Sequence, residues 1–249
     1  MGQIRQAVIF AGGRGERLRP LTDHLPKPMA PINGVPFLDY LIKTLEDAGI
    51  SKILFLLGYK AETIVGRYGK NLPSGVQVEY SIGTAEDLTG RRLLNAHPYL
   101  EDSFLLLYGD NYWPIEIEQM TALWKTKNAL ALTTVFGNKN GTAEYGYENN
   151  IEVGSDAFVV EYDKKRVSKK LNGVDIGYFI INKDILDPEM PGNISFEETI
   201  LASLAKDRKL LAHVTDRQYY YITNMESLKL FEGVAPREGF LPINLEAMK

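Results

Sequence analysis

Short apolar runs alternate with amphipathic stretches through the first half of the chain, and this alternation limits the folds that the chain can adopt. Strand-like runs occur at residues 7–10, 52–57, 104–108 and 130–136. Between the first two, apolar residues recur at helical spacing from Phe37 to Leu45. Continuous apolar strands separated by helices are typical of a parallel sheet that is buried on both faces. The sequence therefore predicts a doubly wound α/β fold.

The texture of the sequence changes in the second half. Glycine, asparagine and tyrosine become frequent, and strand-like runs follow at 157–162 and 174–181. At 249 residues the chain is too short for two full-sized domains. We therefore expect one domain over residues 1–249. Within it, 1–136 form a mainly parallel core and 137–249 add an antiparallel lobe, which makes the sheet mixed.

Charge and composition exclude several classes of function. The chain has 28 Lys and Arg against 32 Asp and Glu, so no large positive field is available to hold nucleic acid. It has no cysteine, which excludes disulfides, thiolate nucleophiles and thiolate metal sites. The apolar stretch near the N-terminus is too short for a signal peptide or a membrane span. We expect a cytoplasmic protein that binds neither nucleic acid nor membrane.

A glycine cluster lies directly after the first strand-like run. The segment Ala11-Gly12-Gly13-Arg14-Gly15 has three glycines in four positions, which lets backbone amides approach an anion closely. It lacks the Lys-Ser/Thr ending of a P-loop, and Leu18 stands where a dinucleotide-binding motif has a small residue. The cluster is therefore a phosphate cradle of another kind or a structural turn.

Lys27 follows this loop and lies between two prolines. Pro26 and Pro28 restrict the backbone on either side, so we expect them to bar a helix and to hold the lysine on a rigid extended segment. A lone lysine without such a frame is ordinarily a solvated surface charge. The frame instead favours a cation with a defined position.

Two consecutive motifs in this region identify a family resemblance. Residues 12–22 read Gly-Gly-Arg-Gly-Glu-Arg-Leu-Arg-Pro-Leu-Thr, and residues 25–32 read Leu-Pro-Lys-Pro-Met-Ala-Pro-Ile. Together they resemble the signature of the sugar-1-phosphate nucleotidyltransferases. The continuation at 33–41 is most similar to the heptose-1-phosphate and mannose-1-phosphate guanylyltransferase branch. The resemblance implies a Rossmann-like, glycosyltransferase-A-like fold, with a nucleotide-binding half at 1–136 and an acceptor-binding half at 137–249.

The resemblance also implies a reaction and roles for residues. A nucleotidyl group passes from an NTP to a sugar 1-phosphate, and pyrophosphate is released. Arg17 contacts the triphosphate, and Lys27 neutralises charge on the α-phosphate. The nucleotide-binding residues are Ala11, Gly12, Gly13, Gly15, Arg17, Thr89 and Gly90. Transfer between two anions needs positioned positive charge more than it needs an acid or base.

Asp110 follows the strand-like run at 104–108. A carboxylate at the carboxyl end of a buried parallel strand can hold Mg²⁺, although Gly-Asp is also a common turn sequence. The resemblance implies that Asp110 is the Mg²⁺ ligand. It also implies that Arg17, Lys27 and Asp110 are the catalytic residues.

A second metal aspartate, which the resemblance implies late in the chain, is missing from its expected position. The best local match is residues 219–226, where Tyr221 replaces the aspartate, and a phenol with a pKa near 10 is a poor Mg²⁺ ligand. Three explanations are open: Asp216 or Asn224 takes over, Asp110 and the NTP phosphates hold the metal alone, or the protein has lost catalysis. The second is favoured, because Mg²⁺ commonly binds one carboxylate plus substrate phosphates.

The segment from Thr89 to Arg92 also departs from the resemblance, which implies small residues beside the nucleotide. Thr89 and Gly90 fit this pattern, but Arg91 and Arg92 are bulky and charged. These arginines either reach phosphate or sugar, or form a solvated helix start.

On the acceptor side the resemblance is carried by short matches. It implies that Tyr145 and Gly146 lie near the sugar, that Lys164 binds the acceptor phosphate, and that Asp175 meets sugar hydroxyls. An exposed hairpin at 164–170 and a strand turn at Asp175 are the alternatives. Ser195 and Glu198 have the spacing of a capping box, which predicts a helix start.

Further alternatives concern packing and substrate. Trp113 is either a wall of the site or part of the core, and the apolar stretch 231–243 is core or a contact in a homo-oligomer. GTP and D-glycero-D-manno-heptose 1-phosphate or mannose 1-phosphate are the favoured substrates. CTP, UTP or a thymidine nucleotide with another phosphorylated acceptor is the alternative. The rival from another class is a catalytically silent regulatory subunit that binds nucleotide sugars.

Overall fold

The computed structural model describes residues 3–127 and 129–235. Its strands are β1 (Gln6–Phe10), β2 (Pro31–Ile32), β3 (Val35–Pro36), β4 (Lys52–Leu57), β5 (Gln77–Ile82), β6 (Ser103–Tyr108), β7 (Asn111–Tyr112), β8 (Ala131–Phe136), β9 (Ile151–Val153), β10 (Val159–Tyr162), β11 (Val174–Asn182), β12 (Leu210–Thr215) and β13 (Tyr220–Tyr221). Its α-helices are α1 (Phe37–Asp47), α2 (Ala61–Tyr68), α3 (Thr89–Asn95), α4 (Ile117–Lys127), α5 (Ala202–Lys206) and α6 (Met225–Val234). A π-helix, Phe196–Leu201, runs directly into α5.

A mixed sheet forms the centre of the molecule. In the described part of the chain it contains seven strands in the order β12-β8-β11-β6-β1-β4-β5. Every neighbouring pair is parallel except the two pairs that β11 makes, with β6 and with β8. The carboxyl ends of the other six strands therefore lie along one edge, together with the first residues of β11. The predicted mainly parallel, mixed sheet is confirmed.

The second half of the chain contributes more to this sheet than expected. Among residues 137–235, β11 lies between β8 and β6 and β12 extends the sheet in parallel beside β8, so this part of the chain is continuous with the parallel core. Buried residues run almost continuously along β11, which suits an interior strand. The antiparallel pair β9 and β10 is the smaller element that matches the expectation.

Helices cover both faces of the sheet. On one face α1, α2, α4 and α6 supply buried side chains such as Trp124 and Phe231. On the other face α3, the π-helix and α5 pack residues such as Leu93 and Phe196. The fold is therefore doubly wound, as predicted. Among residues 3–127 and 129–235, no helix combines the length and apolar character that crossing a bilayer requires.

A buried carboxylate joins α1 to α2 beneath the loop that carries Lys27. Asp39 is fully buried and accepts hydrogen bonds from Arg67 Nε at 3.1 Å and from Tyr68 Oη at 2.6 Å. Arg67 also donates a second bond from Nη2 at 2.5 Å. Tyr68 Oη in turn lies 3.9 Å from the sulfur of Met29. The network thus anchors the segment next to Lys27.

Asp39→Ala is expected to lower the free energy of unfolding by about 3 kcal/mol, because a partly buried guanidinium and a buried hydroxyl lose their acceptor. Urea denaturation measures this change. The control is Asp47→Ala, which removes an exposed partner of Lys43 on the same helix and is expected to cost less than about 0.5 kcal/mol. Equal effects of the two substitutions would contradict a structural role for the Asp39 network.

Candidate active site

A cavity of about 660 Å³ opens where β1 and β6 end at the sheet edge. Ligands of parallel sheets bind at this edge. The predicted site residues that line the cavity are Ala11, Gly12, Gly13, Gly15, Arg17, Lys27, Thr89, Asp110 and Lys164. The other predicted residues, Gly90, Tyr145, Gly146 and Asp175, lie outside this wall. The structure therefore brings the phosphate loop, the lysine and the aspartate to one place.

The glycine loop is shaped by close packing at two of its positions. A Cβ on Gly12 would overlap the guanidinium of Arg92, and a Cβ on Gly15 would lie 2.8 Å from Lys27 Cβ. Gly15 also has a φ of +63°, in the left-handed region. At Gly13 a Cβ would meet no heavy atom of the described residues within 4 Å. Packing explains Gly12 and Gly15, whereas Gly13 leaves open space that a ligand can approach.

Lys27 begins a short 3₁₀ turn, Lys27–Met29, so the expectation of an extended segment is wrong. Pro26 is extended, with φ −71° and ψ 149°, and Pro28 takes a first-turn position where its missing N–H costs no hydrogen bond. Ala30 N donates to Lys27 O at 3.0 Å and closes the turn. Proline excludes an interior helix position but not a first turn, which is the reason for the difference.

Lys27 and Asp110 form an ion pair in the cavity. Lys27 Nζ lies 2.5 Å from Asp110 Oδ2, and the two side chains are 11% and 31% exposed. Asp110 is held in the turn after β6, where its carbonyl accepts a hydrogen bond from Ile222 N at 3.1 Å. The pair gives the cavity a cation that suits a phosphate beside a carboxylate that suits a metal ion.

Arg17 links the glycine loop to the second half of the chain. Its Nη1 lies 3.1 Å from the hydroxyl of Tyr145 and 3.4 Å from Glu144 Oε1. Glu144 Oε1 also accepts a hydrogen bond from Thr223 Oγ1 at 2.8 Å. The Arg17 side chain remains 63% exposed. Tyr145 therefore reaches the site through Arg17, although it does not line the cavity.

The oxygen ligands present suit a divalent cation that also binds substrate phosphates. Among residues 3–127 and 129–235, no three His, Asp or Glu side chains cluster closely enough to hold a metal by themselves. Neither Asp216 nor Asn224 lines the cavity: Asp216 pairs with Lys139 at the surface, and Asn224 caps α6 by accepting from Ser227 N. The carboxylate of Asp110, beside space for phosphate oxygens, fits a hard cation such as Mg²⁺.

Tyr221 does not supply that missing carboxylate function. It lies in β13, paired with Asn111 of β7, and its hydroxyl lies 3.5 Å from the carbonyl of Ala143. Burial raises the pKa of Tyr221 above its ordinary value. At neutral pH Tyr221 is therefore in the phenolate form, which could bind a cation, even less often than a free tyrosine is.

The side chains of both arginines after Gly90 donate hydrogen bonds to backbone carbonyls. Arg91 donates from Nη2 to the carbonyls of Met190 and Gly192. Arg92 is buried, which contradicts a solvated helix start at that position. Gly90 packs against the next loop, since a Cβ there would lie 2.8 Å from Ile194 Cγ1.

Glu197 is a cavity residue that the sequence does not reveal. It accepts hydrogen bonds from Tyr108 Oη at 2.5 Å, Thr89 Oγ1 at 2.7 Å and Ser195 Oγ at 2.7 Å, and its side chain is 13% exposed. Lys164 Nζ lies 4.0 Å away. Although burial would raise the pKa of Glu197, the Tyr108 hydroxyl and the Lys164 ammonium hold it below its ordinary value.

The only sequence signal near Glu197 is the capping motif, which draws attention to its neighbour Glu198. Ser195 Oγ accepts from Glu198 N at 3.2 Å, so the predicted helix start is confirmed. The helix that begins there is a π-helix.

Asp175 lies behind the cavity wall. Its carboxylate accepts from Thr133 Oγ1 at 2.9 Å, Gly177 N at 3.0 Å and Tyr162 Oη at 2.8 Å. Burial raises the pKa of Asp175 to about 6. Both oxygens are engaged by protein donors, so contact with a sugar would require them to be shared. The predicted role of Asp175 stays a prediction.

The structure shows whether three other predicted features lie in the core or at the cavity. Trp113 is fully buried, 5.5 Å from the ring of Tyr178, and belongs to the core. In the stretch 231–243, Phe231 packs against Phe37 in the core, and residues 236–243 lie outside the described residues. Lys164 is about half exposed and lines the cavity, at the start of the 164–170 loop.

Comparisons with known proteins show related chains. The model of the nucleotidyl transferase family matches residues 6–222. The chain is 30% identical over 202 residues to D-glycero-alpha-D-manno-heptose 1-phosphate guanylyltransferase of Campylobacter jejuni subsp. jejuni serotype O:2, covering 81% of this chain and 87% of that protein. It is 29% identical over 247 residues to a Bacillus subtilis protein named probable glucose-1-phosphate cytidylyltransferase, covering 90% and 92% of the two chains.

A solved structure extends the likeness to three dimensions. HddC from Yersinia pseudotuberculosis, complexed with GMP-PN, superposes with a TM-score of 0.77 at 26% identity, covering 94% of this chain and 100% of that chain. The predicted Rossmann-like, glycosyltransferase-A-like fold is confirmed. Because the family model spans most of the chain and a relative at 30% identity is covered over most of its length, this chain belongs to the nucleotidyl transferase family.

Proposed function

We propose that this protein transfers a guanylyl group from GTP to D-glycero-D-manno-heptose 1-phosphate or mannose 1-phosphate. The observation that carries the proposal is the meeting of Lys27, Asp110 and the Gly12-Gly13 loop in one cavity, with Lys164 on its wall. The names of the Campylobacter relative and of the HddC complex support a guanine nucleotide. The name of the Bacillus relative makes a cytidine nucleotide the alternative.

The nucleotide binds in the 1–136 half. Backbone amides of Ala11, Gly12, Gly13 and Gly15 approach the phosphates, since the open space at Gly13 permits contact. Arg17 exchanges its bonds to Glu144 and Tyr145 for contacts with the triphosphate. Thr89 and Gly90 lie on the side of the nucleoside.

The reaction is a direct displacement at the α-phosphorus. An oxygen of the sugar phosphate forms a bond to this phosphorus while the bond to the pyrophosphate oxygen breaks, so that pyrophosphate leaves with the bonding electrons. Lys27 neutralises the charge that the two anions bring together, because its position is held by the 27–29 turn. No covalent intermediate is needed.

Asp110, together with phosphate oxygens of the NTP, would hold Mg²⁺. The ion would supply charge neutralisation at the phosphates when bound. Lys27 lies against the same carboxylate and keeps it oriented toward the cavity. Asp110 therefore has two tasks, as metal ligand and as partner of the lysine.

The acceptor binds in the 137–249 half. Lys164 binds its phosphate as a point charge, and Glu197 holds Lys164 at the cavity wall. Tyr145 and Gly146 lie next to the sugar, and Asp175 supports the wall from behind through Tyr162. A homo-oligomer is compatible with this arrangement but is not required by it.

Pyrophosphate release, measured for four NTPs against a panel of sugar 1-phosphates with Mg²⁺, tests the proposal. We expect GTP with a D-manno-configured acceptor to exceed the other pairs by about tenfold or more, as a site built to hydrogen-bond a base discriminates strongly. Glucose 1-phosphate is the matched acceptor, since it differs from mannose 1-phosphate at one carbon. A cytidine or uridine preference would overturn the donor assignment. Tight nucleotide-sugar binding without turnover of any pair would identify a regulatory subunit instead.

A further inference from the structure

A buried arginine lies directly beneath the glycine loop. Arg92 of α3 is 5% exposed. Its guanidinium donates to the carbonyls of Leu57 at 2.7 Å, Thr84 at 2.6 Å and Gly12 at 3.1 Å. These carbonyls follow or end three neighbouring strands, β4, β5 and β1. One side chain thus ties together three loops at the edge where the cavity opens.

The backbone around this guanidinium leaves room for it alone. A Cβ on Gly12 would overlap Arg92 Nη1, and a Cβ on Gly58 would lie 2.5 Å from the same atom. Two glycines at the ends of neighbouring strands therefore make the space that the cation fills. Replacement of either glycine would expel the guanidinium or push the loop away.

Among the side chains that the structure describes, no carboxylate counter-ion lies close to the guanidinium. Among residues 3–127 and 129–235, no Asp or Glu oxygen lies within 4.0 Å of its nitrogens, because the ion pairs of the described side chains do not include Arg92. Asp87 accepts from Thr84 N and Oγ1, and Glu86 pairs with Arg14. Both carboxylates act on Arg92 only from a greater distance.

A cation removed from water without a counter-ion is costly to the folded protein. Burial lowers the pKa of Arg92, whereas Asp87 and Glu86 raise it. Three of the five N–H groups of the guanidinium are satisfied by carbonyls, which compensate part of the lost hydration but carry no net charge. Arg92 also helps to line the cavity, so an anion that enters the cavity would supply further compensation.

The bond to Gly12 connects this cation to the loop surface. The carbonyl of Gly12 and the N–H of Gly13 belong to one peptide group, so a cation on the oxygen polarises the group and strengthens the N–H as a donor. Gly13 is the loop position with open space beside it. Positive charge below the loop therefore favours an anion above it.

We propose that Arg92 is a third cation of the nucleotide site and that the triphosphate of the bound NTP is its counter-ion. Arg92 acts across the Gly12-Gly13 backbone, while Arg17 and Lys27 act from the cavity itself. The inference rests on the proposed function to the extent that the anion is a nucleotide.

Binding of an NTP, its diphosphate and its monophosphate to Arg92 variants tests this inference, with the base chosen from the substrate panel. Arg92→Met removes the charge and is expected to weaken the triphosphate about tenfold but the monophosphate only about twofold, because the attraction grows with ligand charge. Arg92→Lys keeps the charge but loses the fork that spans three carbonyls, and it is expected to bind the triphosphate at least about threefold more tightly than Arg92→Met does. Arg91→Met is the matched control, with no change for any ligand.

Two outcomes would overturn the inference. One is an equal loss for all three nucleotides in Arg92→Met, which would show that the arginine only shapes the loop. The other is an Arg92→Lys variant that binds the triphosphate as weakly as Arg92→Met does. If Arg92→Met does not fold, a tenfold loss of triphosphate affinity in Arg92→Lys would have the same meaning. Failure of the proposed function would appear elsewhere, as wild-type protein that binds nucleotides with the expected charge dependence but releases no pyrophosphate.

Discussion

Lys27→Ala is expected to lower kcat by about 100- to 1000-fold, the usual cost of removing one fixed charge or donor that stabilises a transition state. The expectation follows from the position of Lys27 in a closed turn at the cavity, with an 11% exposed side chain that meets Asp110. Nucleotide affinity is expected to fall much less, because the charge that Lys27 offsets is greatest when the two phosphates react. Steady-state rates and equilibrium binding separate the two effects.

The ion pair between Lys139 and Asp216 provides the control. Its atoms lie 2.8 Å apart, but the side chains are 74% and 67% exposed and do not line the cavity. Lys139→Ala removes a similarly paired lysine and is expected to leave kcat unchanged. A Lys27→Ala enzyme with near-normal kcat and an intact fold would refute the role assigned to this lysine.

Asp110→Asn is expected to lower kcat at least 100-fold and to remove metal binding that depends on the nucleotide. Asp110 is the proposed metal ligand, and no cluster of three carboxylate or imidazole side chains among the described residues could replace it. The amide of asparagine is a weak ligand for a hard cation. Binding of Mn²⁺ in the presence of the NTP, followed by electron paramagnetic resonance, reports the loss without reliance on turnover. Asp216→Asn is expected to bind Mn²⁺ like the wild type.

The pair also predicts non-additivity. Because Lys27 and Asp110 contact each other, the double variant is expected to lose less activity than the product of the two single losses. Unchanged Mn²⁺ binding in Asp110→Asn would contradict the metal role. It would direct attention to Glu144, which lies beside Thr223 near the missing aspartate position.

Local patterns in the sequence predict the strands and much of the site. The continuous apolar runs correspond to strands β1, β4, β6 and β8. A strand that is buried on both faces does not alternate apolar and polar residues, so such a run can be recognised in the sequence. The glycine loop, Lys27 and Asp110 were predictable since each directly follows a strand or carries an unusual local frame. The parallel pairing of β12 with β8 was not predictable, because the sequence of a six-residue strand does not specify which strand it pairs with.

Residues of the site that depend on distant partners were harder to predict. In the sequence Glu197 is one of several residues after a capping motif, and its place at the cavity depends on contacts with Tyr108 and with Thr89 of α3, which are distant in the chain. The hydroxyl of Tyr145 contacts Arg17, 128 residues away in the sequence, and its place beside the sugar stays a prediction. The hydroxyls of Thr133 and Tyr162, which are 42 and 13 residues away in the sequence, engage the oxygens of Asp175, and its contact with sugar hydroxyls stays a prediction.

The sequence by itself determined the class of fold and singled out the glycine loop, Lys27 and Asp110, because these features depend on residues close together in the chain. Only the tertiary structure decided which charges meet. The shared edge of the parallel strands brings Lys27 to Asp110 across 83 residues and places Arg92 under Gly12 across 80 residues. Strand order sets such distances, and strand order follows from the packing of the whole sheet rather than from any one segment.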